Sequence, residues 1–365
     1  MNTVSLILAL FATAAVACCI ACFPVVAFLR KRQVLDRPNE RSSHVEPTPR
    51  GGGLAIISVL IPGLLLLGAF AGEASAILLA VCGLMLAGIS FVDDLKSIRP
   101  AVRFSIHLLA AAVLMAGLWF RKDANAAIFT GPESSSALRV VLCLVFCIYL
   151  VGYANAFNFM DGINGISGVQ AFISGTGIAL VAMLVDSLEL RTVAMAGAIL
   201  AGTAVGFLPH NFPRARVFMG DVGSVPLGFI SAGLGVVIAW KEGLWLIVPL
   251  ALLHTNYILD TSITLTRRVL RGEKWYLPHR EHFYQRLVRS GKSHPFVTGW
   301  EATLQLVTLS AVVAYLNFGT LGRAITIGGV IVLWLGFFAW AEVRFRATQR
   351  QSGTVQPLSS TASRS

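Results

Sequence analysis

The sequence predicts an all-α polytopic membrane protein of about eleven transmembrane helices, with its N-terminus outside and its C-terminus in the cytoplasm. Three observations carry this reading. Of 365 residues, 56% are hydrophobic and only 13% charged, with a mean hydropathy of +0.74. A soluble domain carries about 25% charged residues to cover its surface. The apolar residues also fall in runs near the ~20 needed to cross a bilayer, and the basic residues cluster on alternate connections. Length alone would allow two or three soluble domains, but this composition points to one membrane domain over residues 1–345. A tail over 346–365, rich in Ser and Thr after Gln349, reads as disordered and cytoplasmic.

In order, the expected spans are Thr3–Leu29, Leu54–Ala71, Ala74–Phe91, Phe104–Phe120, Ala137–Ala154, Ser167–Val185, Thr192–Leu208, Val225–Ala239, Leu244–Asp260, Ala302–Phe318 and Leu321–Ala341. The first has no basic residue before its apolar run and Arg30-Lys31-Arg32 just after it. That is the layout of an uncleaved anchor rather than a signal peptide. Trp119, Trp240 and Trp245 fall at expected outer boundaries and Trp300 and Trp340 at inner ones, where interfacial anchors sit. Six cysteines all lie inside spans. Cys19-Ile-Ala-Cys22 has a redox or zinc spacing, but in lipid these read as small packing residues.

The net charge of +11 suits nucleic acid, an acidic membrane surface or an anionic substrate. Location decides between them. With the N-terminus outside, 23 of the 29 Lys and Arg residues fall on inner segments, so the excess orients the chain and meets anions at the membrane face. Nucleic acid is not expected as a partner.

Those inner segments also concentrate the polar chemistry. Asp93-Asp94 at a helix end repel each other unless a cation is near, and Mg2+ favours such oxygens while bridging to phosphates; Lys96 is the adjacent counter-charge. Asn155-Ala-Phe-Asn158-Phe-Met-Asp161-Gly-Ile-Asn164-Gly repeats polar groups every third position, a stripe suited to a metal, a nucleobase edge or an interhelical ladder. Asn211-Phe-Pro-Arg-Ala-Arg-Val-Phe218-Met-Gly220-Asp221-Val-Gly223-Ser224 places one Asp between glycines ahead of a helix whose free N–H groups favour phosphate. Phe218 is placed to stack on a base or simply to pack.

The longest inner segment holds Arg267, Arg268 and Arg271, read as lying on anionic lipid, and then Pro278-His279-Arg280-Glu281-His282-Phe283, read as a phosphate grip. Ser43-His44-Val-Glu-Pro-Thr-Pro-Arg50-Gly-Gly-Gly53 is a proline turn leading through Arg50 into a span. His107 and His254, inside spans, are expected to bond neighbouring helices. Asp260 is expected to be paired or functional, because a charge in the bilayer costs about 2.5–3.5 kcal/mol on insertion scales.

In this order, Pro47–Gly53, Asp93-Asp94, Asn155–Gly165, Asn211–Ser224 and Pro278–Phe283 resemble the polyprenyl-phosphate N-acetylhexosamine-1-phosphate transferases. That family includes the peptidoglycan phospho-MurNAc-pentapeptide transferase and enzymes that prime O-antigen and dolichol-linked glycans. The resemblance spans about residues 40–345. It implies a bacterial inner-membrane enzyme with a cytoplasmic active site. Such an enzyme uses Mg2+ or Mn2+ to move a sugar-1-phosphate from a UDP-N-acetylhexosamine to undecaprenyl phosphate, releasing UMP.

Carried over by position, the resemblance makes Asp221 the main metal ligand and Asn158 a second. Asp93, Asp94 and Asp221 become the catalytic acids, with Asp93 or Asp94 the proton acceptor. Asn164, Asn211 and Phe218 fall at uridine contacts, while His279, Arg280 and His282 hold the diphosphate and sugar. Arg50, Lys96, Asn155 and Asp161 complete the substrate-binding set. Many members form homodimers. Lys96 comes one residue earlier than in the peptidoglycan branch, Asn164 replaces a frequent Asp, and His-Arg-Glu-His replaces a triple His. These departures favour an O-antigen-type enzyme taking UDP-GlcNAc, or a 6-deoxy donor such as UDP-FucNAc or UDP-QuiNAc, over the pentapeptide transferase. A lipid or solute transporter, the rival class, predicts mid-membrane charges and internal repeats, and the sequence has neither.

Overall fold

The computed structural model describes residues 2–36, 47–120, 136–274 and 279–351. Ser43, His44 and Pro278 of the predicted motifs, and 352–365 of the predicted tail, lie outside them. The helices are α1 (Thr3–Lys31), α2 (Gly53–Ala71), α3 (Ala74–Leu95), α4 (Pro100–Trp119), α5 (Ser136–Met160), α6 (Ile166–Leu184), α7 (Arg191–Asn211), α8 (Asp221–Glu242), α9 (Ile247–Leu252), α10 (Thr255–Leu270), α11 (Phe283–Arg289), α12 (His294–Asn317) and α13 (Thr320–Gln351). The helix ends follow local chemistry. Asn2 accepts from the Ser5 N–H at 2.8 Å to cap α1, Gly72 takes a left-handed φ of 66° to end α2, and Pro100 opens α4 where no N–H is needed.

Ten described helices are long and apolar enough to cross a membrane, and a bent pair would make an eleventh span. α8 is the axis. Its apolar stretch is entirely buried, while α1 and α5 bury less than a third of theirs. It packs against α2, α3, α5, α6 and α7. Small residues let these helices close in: a Cβ on Gly233 would lie 2.4 Å from a Leu79 methyl, and one on Gly228 would lie 2.6 Å from the Phe157 Cβ. At one end of the bundle Lys241, after the apolar run of α8, pairs with Glu73 at 2.5 Å.

Four expectations change. The ninth span, read as one helix over Leu244–Asp260, is broken. α9 and α10 meet at 77° around Leu253 and His254, because α10 is not apolar all round: it buries Asn256, Asp260, Thr261 and Thr264 and exposes Val269 and Leu270. Among the described residues there is also one small sheet, the antiparallel pair β1 (Leu35–Asp36) and β2 (Thr48–Pro49). Trp240 is no interfacial anchor; it is 2% exposed, within the packing around α8. Residues 346–351, assigned to the disordered tail, continue α13. Other readings stand. The cysteines are free thiols. His107 meets the Asn155 amide at 3.2 Å and His254 the Tyr149 hydroxyl at 2.7 Å, each a bond between helices.

Candidate active site

The site grows from the start of α8. Arg50 and Phe218 pair through a backbone bridge: the Gly51 and Gly52 N–H groups donate to the Phe218 carbonyl, and the Phe218 N–H donates to Pro49. This zipper requires close approach. A Cβ on Gly53 would lie 2.3 Å from the Gly223 Cα, and Gly220 has φ 74° with the Asp94 carboxylate against its face. The glycines read in the sequence as room for a ligand therefore first make room for another segment of the chain. Gly53→Ala is expected to cost about 1–3 kcal/mol of stability and to separate Arg50 from Asp221. A lower melting temperature together with a reduced turnover would be the signature; an unchanged melting temperature would refute the contact.

Held this way, Arg50 joins two acids, with Nη2 at 2.7 Å from Asp221 Oδ1 and Nε at 3.0 Å from Asp94 Oδ1. Burial works against its charge, but Asp221 and Asp94 raise its pKa above the ordinary arginine value. Arg103 is the second bridge, reaching Asp93 and, at 3.4 Å, Asp221 Oδ2. Asp94 also accepts from the Asp221 and Val222 N–H groups at 3.2 and 3.0 Å, so one carboxylate caps the helix that carries another. Asp93 accepts the Ile98 N–H at 2.7 Å. The three predicted acids thus meet at one point, between two guanidiniums.

Sequence reasoning missed Arg103 and chose Lys96. Lys96 is exposed as the C-cap of α3, and among the described residues no acid pairs with it. A signal for Arg103 was present. It lies in the first turn of α4, where the helix dipole disfavours a cation, which points to an anion close by.

Asn158 donates to Ser224 Oγ at 2.9 Å, and Ser224 donates to the Gly220 carbonyl at 3.1 Å, so the Asn stripe is fastened to the first turn of α8. Asp161 stands next along. Loss of solvent around its carboxyl, with the Asp221 charge nearby, lifts its pKa to about 7. Asn155 instead bonds His107 and the Val151 carbonyl and serves the helix contact.

Asn164 is held by the neighbouring loop and by α12. Its side chain donates to the Pro213 carbonyl at 3.1 Å, while Thr298 of α12 donates to its carbonyl at 2.8 Å. Asn211, expected at the uridine, is buried with both amide ends engaged by backbone: Oδ1 accepts from Gly165 and Nδ2 donates to Val217. It scaffolds the two loops rather than presenting itself to a ligand. Phe218 is half-buried between them.

The His-Arg-Glu-His loop divides in the same way. His282 is 2% exposed; its Nδ1 donates to Asp260 Oδ1 at 2.8 Å, and the Phe283 N–H donates to Oδ2 at 2.9 Å. Asp260 is therefore the buried tether of this loop, and His282 is a fastening rather than a substrate contact. His279, Arg280 and Glu281 are half-exposed. Burial, with His282 and Arg268 beside it, lowers the His279 pKa to about 4, so it is a neutral imidazole at neutral pH. Tyr284 ties the loop to the Asn stripe by donating to the Phe159 carbonyl at 3.0 Å.

Arg267, Arg268 and Arg271, expected to lie on lipid, are paired within the protein. Arg268 meets Glu273 and Glu281 at 2.7 and 2.6 Å, Arg271 meets Glu281, and Arg267 meets Glu342 at 3.3 Å. Burial opposes ionisation of Glu281, yet Arg271 and Arg268 hold its pKa below the usual carboxylate value.

Among the described residues no three His, Cys, Asp or Glu draw together as a metal cage. The donors available here are hard oxygens: the Asp221 carboxylate, met by Arg50 and Arg103, and the amide of Asn158, which is tied to the same first turn of α8 through Ser224. That set fits a cation such as Mg2+, which takes one or two carboxylates, keeps waters and shares phosphate oxygens, and it does not fit zinc.

A membrane bundle that gathers three carboxylates and two guanidiniums at the N-terminus of its most buried helix is equipped to handle phosphate groups. The chain belongs to glycosyl transferase family 4, whose pattern matches residues 76–239. It is 30% identical over 289 residues to a decaprenyl-phosphate N-acetylglucosaminephosphotransferase of Mycobacterium leprae, covering 70% of each chain. It is 26% identical over 264 residues to a probable undecaprenyl-phosphate N-acetylglucosaminyl 1-phosphate transferase of Bacillus subtilis, covering 71% of each. A phospho-N-acetylmuramoyl-pentapeptide-transferase of Mycobacterium bovis is 32% identical over 230 residues, which cover 52% of this chain and 63% of that protein.

Proposed function

We propose that the protein transfers N-acetylhexosamine-1-phosphate from a UDP-sugar to undecaprenyl phosphate, with GlcNAc the first donor to test, and so primes O-antigen or another cell-envelope glycan. The observation that carries this reading is the meeting of Asp93, Asp94 and Asp221 between Arg50 and Arg103. The names of the Mycobacterium leprae and Bacillus subtilis relatives support the sugar and the class of acceptor. The site would face the cytoplasm of a bacterial inner membrane, with the N-terminus outside and the C-terminus inside. The distribution of basic residues supports that orientation.

In this reading an oxygen of the acceptor phosphate attacks the sugar-bearing phosphorus of the donor. The bridging P–O bond breaks, and UMP leaves with the electron pair. Bound at Asp221 and Asn158, Mg2+ would supply Lewis-acid stabilisation of the diphosphate charge. Arg50 and Arg103 are placed to grip phosphate oxygens, as guanidiniums do through paired N–H donors. His279 and Arg280 would line the donor side, and Asn164 the base.

Asp93 and Asp94, first candidates for the proton acceptor, have their oxygens engaged by arginines and backbone N–H groups. Asp161 suits that task better, because it titrates near neutrality. Activity should therefore rise with pH through about 7 as Asp161 ionises. Added Mg2+ should move that limb to lower pH, since a cation favours the carboxylate. A flat profile for the wild type, or an unchanged one for Asp161→Asn, would remove Asp161 from the chemistry. Purified protein given undecaprenyl phosphate, Mg2+ and a panel of UDP-sugars, UDP-MurNAc-pentapeptide included, tests the reaction itself. Failure of every donor in the panel to yield UMP would overturn it.

A further inference from the structure

Away from the carboxylate cluster, a groove of about 350 Å³ opens between α10, α11 and α13. Its floor is aromatic. Phe283 and Phe338 stack at 4.7 Å, and both are buried. Its walls are apolar and open, with Leu335 and Val343 of α13 at 43% and 66% exposure. Its rim is cationic: Arg267, Arg286 and Arg346 all reach Glu342, at 3.3, 2.7 and 2.6 Å.

One carboxylate cannot balance three guanidiniums. Nor can the next residues along supply the difference. Arg286 also touches Glu281 at 3.5 Å, but Glu281 is already shared by Arg268 and Arg271. The linked network holds five guanidiniums on three carboxylates and keeps a positive surplus, centred where α13 leaves its apolar stretch. Arg346 is 69% exposed in its side chain and stands over the groove mouth. Below it the walls continue down the membrane-spanning face of α13.

We propose that this groove binds an anionic phospholipid, with its headgroup phosphate on Arg346 and Arg267 and one acyl chain along Leu335, Ala339 and Val343. Charge complementarity selects the occupant. A zwitterionic lipid would bring its own cation to a rim that already has an excess, and a fatty acyl chain alone would leave that excess unmatched. The groove shares no residue with the site proposed for transfer, so this inference does not rest on that reading. Such a lipid would brace α11, and through α11 the loop that carries His279 and Arg280.

Native mass spectrometry on the delipidated full-length protein tests the assignment directly, with phosphatidylglycerol and phosphatidylcholine titrated separately. Phosphatidylglycerol is expected to be retained in preference. Arg346→Gln should weaken its retention about fivefold, the equivalent of about 1 kcal/mol for one basic side chain at a membrane surface. Glu342 keeps Arg267 and Arg286 in that variant, so the fold is not at stake. Ala339→Trp, which fills the groove without touching the rim, should abolish the preference. Equal retention of the two lipids, or wild-type retention by either variant, overturns the proposal. So does displacement of phosphatidylglycerol by undecaprenyl phosphate at equal concentration, which would make this the acceptor's own groove. The readout is binding, so a failed transfer assay leaves this result standing, and the reverse is also true.

Discussion

Asp221→Asn is expected to lower UMP release by about 10²–10³-fold, the scale on which removal of one preorganised electrostatic group acts, while the bundle stays folded. The amide keeps the shape of the side chain but removes the charge that Arg50 and Arg103 share. It also removes the carboxylate carried on the first turn of α8. Asp94 keeps its bonds to the Asp221 and Val222 N–H groups, so the helix start is preserved, and the melting temperature should stay close to wild type. Turnover within about tenfold of wild type would place the chemistry elsewhere. Loss of both activity and melting temperature would make Asp221 a structural acid.

Asp260→Ala carries the largest expected effect on stability. The carboxylate is fully buried and answers three donors: the His282 ring, the Phe283 N–H and, at 3.1 Å, the Thr264 hydroxyl. Removing one partner of a buried pair typically costs about 3–5 kcal/mol, because the other is left without compensation. The loop through His279 and Arg280 should come loose. Tryptic cleavage after Arg280 should accelerate and the melting temperature should fall. Removing both partners in Asp260→Ala/His282→Ala should recover part of that loss, since no buried imidazole is then stranded. A double variant that is additive in its damage would mean that the two side chains act separately.

Much of the architecture was legible because hydropathy sums over a window, and ten described helices each hold an apolar, charge-poor window long enough to cross a membrane. Ten of the eleven expected spans correspond to single described helices that pass as membrane-spanning. The same summation hid the bend at His254. A helix that is apolar on one face and polar on the other averages to a plausible span, whereas its buried Asn256, Asp260 and Thr264 show that it runs along other helices.

Asp93 and Asp94 were legible as an adjacent pair at a helix end, and Asp221 by its neighbouring glycines. Their partners were not. Arg103 reaches Asp221 across 118 residues of sequence, and its place in the first turn of α4 points to a nearby anion without saying which. The acid partners of Arg267, Arg268 and Arg271, at the end of α10, were hidden for a related reason. A run of basic residues looks free until the fold brings Glu281 and Glu342 against it. Asn211 shows the opposite error. A polar residue inside a motif reads as a ligand contact, yet its amide is what holds the motif's two loops together.

The encasement of α8 has a further consequence for how such a protein can diversify. The charged centre rests on the element with the least freedom to shift, and the Gly53–Gly223 contact leaves no tolerance for even a methyl group there. Asn164 is held instead by Thr298 of α12, and the loop of His279 and Arg280 by Asp260 of α10. On the proposed function, in which Asn164, His279 and Arg280 meet the donor, exchanging one sugar for another would ask only the periphery to be rebuilt, with the acid cluster left undisturbed.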